Sequence, residues 1–173
     1  LVSNNDDDIA FGRIINEPKR GIGAASVEKI ARYALMNEMS MFRALYEIEM
    51  IGLPTRAMNA AAAFRDMIQR FTDQQFEYSV SEIVESILEA SGYREALQKE
   101  NTIEAKSRLE NIDEFLSVTD AFEKSADQLG EERSLIAFLT DLALSADIDQ
   151  LDEEDGKEED QVVLMTMHSA KGL

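Results

Sequence analysis

Apolar residues recur every three or four positions behind helix-capping residues along most of this 173-residue chain, a rhythm that suits helices. After Ser26, a good N-cap, residues Val27, Ile30, Ala31, Ala34 and Leu35 make one stripe at i, i+3, i+4, i+7 and i+8. Ser40 can cap a short second helix with Phe42, Leu45, Tyr46 and Ile48. Beyond Gly52, Pro54 stands in the first turn of an Ala-rich helix that turns Phe64, Met67, Ile68 and Phe71 inward. Ser79-Val80-Ser81-Glu82 has the spacing of a capping box, leading Ile83, Val84, Ile87 and Leu88, with Gly92 as the stop. Asn101-Thr102-Ile103-Glu104 opens a longer helix with Leu109, Ile112, Phe115, Leu116 and Val118 on one face. A last helix is predicted from about Glu131 to Ala146. The expected class is mainly α.

The rhythm breaks at residues 147–160, which are acidic and almost free of large apolar side chains; they are predicted to be a solvated, flexible linker. A calcium loop beginning at Asp147 fails on spacing, because Leu151 and Asp152 stand where a ligand and a glycine are needed. Next comes Gln161-Val162-Val163-Leu164-Met165-Thr166-Met167, apolar without alternation, the pattern of a strand buried on both faces. A lone strand after an all-helical stretch has no partner, so residues 161–173 read as part of a different α/β domain and the chain as a fragment.

Composition narrows the chemistry. With no cysteine and one histidine, His168, the chain has no disulfide, no thiol catalysis and no multi-histidine or thiolate metal site. No apolar run reaches the roughly 18 residues of a membrane span, and the acidic start at Asp6-Asp7-Asp8 is unlike a signal peptide. A cytoplasmic location is expected. The net charge of −18 opposes nucleic acid globally, but it is unevenly spread. Residues 141–173 carry −8, whereas residues 9–32 carry +3 from Arg13, Lys19, Arg20, Lys29 and Arg32 against Glu17 and Glu28. Beyond a Debye length of about 10 Å the remaining charge is largely screened, so a local basic patch can still hold phosphate.

That basic stretch contains Lys19-Arg20-Gly21-Ile22-Gly23-Ala24-Ala25-Ser26. Two glycines around one apolar plug permit a tight turn, and the helix behind it offers unpaired amides and a positive dipole end to a phosphate. Ser26 could add a hydroxyl, with Lys19, Arg20 and Lys29 adding charge. This is the helix-hairpin-helix way of gripping a duplex without reading bases. The same residues fit a plain helix–helix turn with solvated cations equally well. Ile51-Gly52-Leu53-Pro54-Thr55-Arg56 repeats the pattern with one cation and reads as a simple αα turn, while Gly92 before Tyr93 and Arg94 reads as a helix stop. At the end of the chain, Thr166-Met167-His168-Ser169-Ala170-Lys171-Gly172-Leu173 follows the expected strand, where α/β sheets bind ligands. No GxxxxGK[ST] phosphate loop occurs, and adjacent His168 and Ser169 would point to opposite faces of a strand, which rules against a nucleophile pair.

The segment TMHSAKGL resembles helicase motif V of the PcrA/UvrD-type superfamily 1 DNA helicases. Asp7-Asp8 followed by Arg13 through Gly23 resembles the start of their helical subdomain 2B, and Ser107 through Phe115 is similar to the same family. The resemblance implies that residues 1–8 leave a RecA-like domain 2A. Residues 9–146 would then be subdomain 2B, 147–160 a linker, and 161–173 the return into 2A. It implies duplex contacts at Gly21, Ile22, Gly23 and Ser26, supported by Lys19, Arg20 and Lys29. Thr166, His168, Lys171 and Gly172 would couple nucleotide state to single-stranded DNA in a parent enzyme that uses ATP and Mg²⁺. The fragment itself is expected to hold no cofactor or metal and to lack catalysis, acting as a duplex- or fork-binding, regulatory subdomain of a 3′-to-5′ helicase. The alternative is an acidic helical module that docks repair or transcription proteins.

Overall fold

The computed structural model describes residues 1–130 and 132–154; the expected strand and motif V therefore lie outside the described residues. Every regular element among the described residues is a helix, with no strand among them. They divide into a unit spanning Leu1–Leu139 and a second unit, Thr140–Leu173, whose described part is the rest of the last helix.

In the first unit, α1 (Asp8–Ile14) is capped by the Asp7 side chain, which accepts from Ala10. The periodicity that marks other helices is absent from this segment of about two turns, and the sequence pattern does not predict it. α2 (Ala24–Met36) starts two residues before Ser26, with Gly23 as its N-cap. Ile30 and Ala34 are buried, but Leu35, predicted to share their stripe, is 81% exposed. α3 (Met41–Ala44), capped by Ser40, runs into a 3₁₀ segment (Leu45–Met50), and Phe42, Leu45 and Ile48 point inward. α4 (Thr55–Gln74) begins after Pro54, which is its N-cap rather than its first residue. Its buried row, Ala57, Ala61, Phe64, Ile68 and Phe71, is the spine of the core, and Phe64 meets Phe11 edge-on at 5.9 Å.

α5 (Val80–Ser91) has the expected capping box, with Ser79 and Glu82 each bonded to the other's backbone amide. Ser79→Ala should cost about 1 kcal/mol, seen as a fall of a few degrees in melting temperature. Gly92, at φ +70°, ends α5 and at once begins α6 (Tyr93–Glu100), a helix hidden from the periodicity by its brevity. α7 (Ile103–Leu129) packs on both. Its fully buried residues are Ala105, Thr119 and Ala126, not the large apolar face that spacing suggested; Phe115 and Val118 remain exposed. α5 and α7 are also tied by Glu123, which accepts from the Ser81 amide at 2.8 Å, and by Ser81 Oγ with Asp120 Oδ1 at 2.7 Å.

α8 begins at Leu135 and continues to Glu154, eight residues into the segment expected to be a linker. Acidic composition signals solvation, and a helix meets that requirement as well as a loop does. Its first turns bury Leu135 and Phe138, the latter against Phe115 and Phe122.

Candidate nucleic-acid interface

Between α1 and α2 the chain turns through a cis Glu17–Pro18 bond and Gly21 at φ +79°. That left-handed conformation is costly for any residue with a Cβ, so glycine is required there. Ile22 is 1% exposed and plugs the core. The Asn16 carboxamide holds the loop by accepting from the amides of Arg20 (2.9 Å) and Ile22 (3.2 Å). Nothing in the sequence singles out Asn16; only its position opposite two loop amides reveals its role.

Arg20 faces inward. Its Nη1 lies within hydrogen-bond reach of the carbonyl oxygens of Ile14 (2.9 Å), Ile15 (3.3 Å), Glu17 (3.0 Å) and Pro18 (3.2 Å). Its guanidinium sits 5.3 Å from the centre of the Phe64 ring. Burial pulls its pKa below the usual arginine range, with Glu17 opposing the shift. Arg20 therefore closes the C-terminal end of α1, whose carbonyls lack helical partners. Ser26 is also turned in, at 8% exposure. Gly21, Gly23, Lys19 and Lys29 stay on the surface.

Gly23 caps α2 without a side-chain bond, so the first-turn amides have no side-chain acceptor. Space around Gly23 is open: a Cβ there would meet nothing within 4 Å. The second turn, expected to be a simple connection, shares this arrangement. Gly52 has φ +70°, Ile51 is buried, and α4 begins at Thr55 behind Pro54, again without a side-chain cap. The two turns are neighbours. Lys29 Nζ donates to the Gly52 carbonyl at 2.8 Å, and a Cβ on Gly21 would lie 3.4 Å from Arg56 Nε. Arg56 is exposed and has no ion pair or hydrogen bond among the described residues. Sequence reasoning discounts it because it is the only cation of its own turn; the fold places it beside the other one.

The arrangement combines two helix N-termini, glycines that allow close approach, and the surface cations Lys19, Lys29 and Arg56. Positive dipole ends and unpaired amides attract anions, and Lys and Arg complete a phosphate-type site. The third turn contributes nothing comparable, since Arg94 is paired with Asp113 at 3.0 Å. No group of three or more metal-ligating residues occurs among the described residues.

Comparison with known proteins gives the family of the chain. The family model for the UvrD-like helicase C-terminal domain matches residues 1–173. The chain is 55% identical, over its whole length, to the ATP-dependent DNA helicase PcrA of Bacillus subtilis strain 168. It is 51% identical, again over its whole length, to the PcrA helicases of Staphylococcus aureus Mu50 and Staphylococcus epidermidis RP62A. It spans 23% of each of these relatives, so what it resembles is a segment of a larger helicase. A family match over every residue, with full-length identity above half, leaves one conclusion: the chain belongs to the UvrD-like helicase C-terminal domain family.

Proposed function

We propose that the paired turns grip the phosphate backbone of double-stranded or forked DNA as a regulatory subdomain of an ATP-dependent 3′-to-5′ helicase. The observation that carries this reading is the adjacency of two N-termini without side-chain caps, braced by Lys29 and flanked by Lys19 and Arg56. Contacts of this kind are electrostatic and indifferent to sequence. Gly21, Gly23 and the neighbouring amides approach the phosphate. Ile22 anchors the turn, and Arg20 and Ser26 shape it from within.

The test is duplex binding by the 173-residue chain at several salt concentrations. Lys19→Ala, Lys29→Ala and Arg56→Ala combined should weaken binding and lower the log–log salt slope by roughly 0.9 for each phosphate no longer neutralised. Arg20 is spared so that folding is not the variable. Equal binding by the triple variant would remove the proposal. Wild-type affinity should fall at about 10⁻⁴ to 10⁻⁶ M, as for non-specific binding.

Single-stranded DNA, ATP and Mg²⁺ belong in this reading to the longer parent, where Thr166, His168, Lys171 and Gly172 couple nucleotide state to the single strand. The 173 residues alone should therefore show no DNA-stimulated ATP hydrolysis, and a phosphate-release assay that detected it would contradict the assignment. A second reading, docking of repair or transcription proteins, draws its support from the acidic helices that follow Ser79.

A further inference from the structure

The helical segment from Val80 to Gly130 carries twelve acidic and five basic side chains, a net charge of −7 that contrasts with the +3 of residues 9–32. Within this segment lies an open apolar groove of about 470 Å³. Its apolar walls are Val84, Ile87 and Leu88 of α5, Tyr93 of α6, and Ile112 and Phe115 of α7, with Arg108 and Asn111 as the polar members of the lining. Spacing predicts burial for all of these apolar residues except Tyr93, yet none is fully buried, and Phe115 is 37% exposed. The large apolar face of α7 is thus only partly covered within the first unit.

Leu88 also lines an adjoining cleft of about 460 Å³, shared with Glu85, Glu89, Arg94 and Glu95. Two of these charges are already matched. Arg94 pairs with Asp113 at 3.0 Å and Glu95 with Lys99 at 2.7 Å, a contact that holds the Glu95 carboxyl below the usual carboxylate range. Glu85 and Glu89 have no ion-pair partner among the described residues. On its Leu88 side the groove therefore opens onto two carboxylates without an ion-pair partner among the described residues, while Arg108 stands in the groove's own wall.

We propose that this groove docks an amphipathic helix of a partner protein whose apolar face is bordered by Lys or Arg. A trough between helices suits the apolar stripe of another helix, with anchors at i, i+3 or i+4, and i+7. The basic border follows from charge complementarity: a cation beside the stripe would meet Glu85 and Glu89. DNA is repelled by the acidic surroundings. A second copy of this chain, itself at −18, brings like charge to the same place.

The experiment uses the 173-residue chain and a fluorescein-labelled peptide of Leu and Lys, about 18 residues or five helical turns long. Two further peptides serve as comparisons: one of the same composition with its leucines spread round the helix, and one in which Glu replaces Lys. The amphipathic Leu/Lys peptide should bind about tenfold more tightly than either, a difference readable by fluorescence anisotropy. Ile87→Asn should abolish that preference, with helicity and duplex binding retained as proof of folding. Glu85→Gln with Glu89→Gln should weaken binding about threefold and flatten its salt dependence. Glu38→Gln with Glu49→Gln, away from the groove, should change neither.

Equal binding of the ordered and the reordered Leu/Lys peptides would reduce the effect to diffuse charge attraction and overturn the proposal. Indifference to all groove substitutions would do the same. Dimerisation of wild type that Ile87→Asn abolishes would make a second copy the occupant. Peptide binding by these 173 residues but not by a longer chain containing them would assign the groove to packing within the parent. Either result would overturn the docking of a separate protein.

Discussion

Arg20→Ala is expected to lower the stability of the chain by about 3 kcal/mol, the loss anticipated when a charged, half-buried donor leaves several carbonyls without a partner. For a chain of this size that corresponds to a fall of roughly 6–12 °C in melting temperature. Four carbonyl oxygens lie within reach of a single guanidinium nitrogen, and the same group covers the Phe64 ring. Lys19→Ala, one residue earlier and fully on the surface, should change stability by less than about 0.5 kcal/mol. Thermal unfolding followed by circular dichroism separates the two. A melting temperature unchanged by Arg20→Ala would mean that the inward position of this arginine is not what holds the end of α1. Weak duplex binding by Arg20→Ala would then have to be credited to charge.

Gly23→Val should reduce duplex affinity about tenfold while leaving the fold in place. Losing one charge-assisted amide–phosphate bond is worth about 1.5 kcal/mol or more, which is that factor in the dissociation constant. The fold survives because Gly23 has φ −73° and ψ 167°, values open to any residue, and its Cβ would enter empty space. The cost to α2 is that of a poor N-cap, about 1 kcal/mol. Gly21→Val differs in kind. At φ +79° it is strained by about 1–2 kcal/mol, and its Cβ would lie 3.4 Å from Arg56. It should lose stability and affinity together. If Gly23→Val binds duplex as wild type does, the phosphate does not approach α2 along this path.

What can be read from the sequence follows the range of the signal. Caps and breakers act over three or four residues, and Ser40, the Ser79–Glu82 box and Gly92 all stand where their local chemistry puts them. Periodicity acts over three or more turns, so α4 is legible from Phe64, Ile68 and Phe71, whereas α1 and α6 are too short to show it. Burial depends on what packs opposite. Leu35 is the outer member of its stripe and stays exposed, and Phe115 is covered only in part, by Phe138. The candidate site is half visible. The glycines and their apolar plug are local chemistry, but the inward path of Arg20 is set by Phe64 on another helix. The role of Arg56 comes from a turn more than thirty residues away. Asn16 is an ordinary surface-type residue until two amides fold over it.

The link from Lys29 to Gly52 also has a mechanical meaning. A hydrogen bond from a side chain to a backbone carbonyl in the facing turn acts as a strut, so bending one loop either moves the other or breaks the bond. Load applied at one turn passes directly into α4, whose twenty residues form a rod of about 30 Å rooted in the core by Phe64, Ile68 and Phe71. Loops tied in this way transmit a pull instead of absorbing it. In the proposed reading, a duplex drawn across them would pull on both turns and on α4 together, and not on one loop alone.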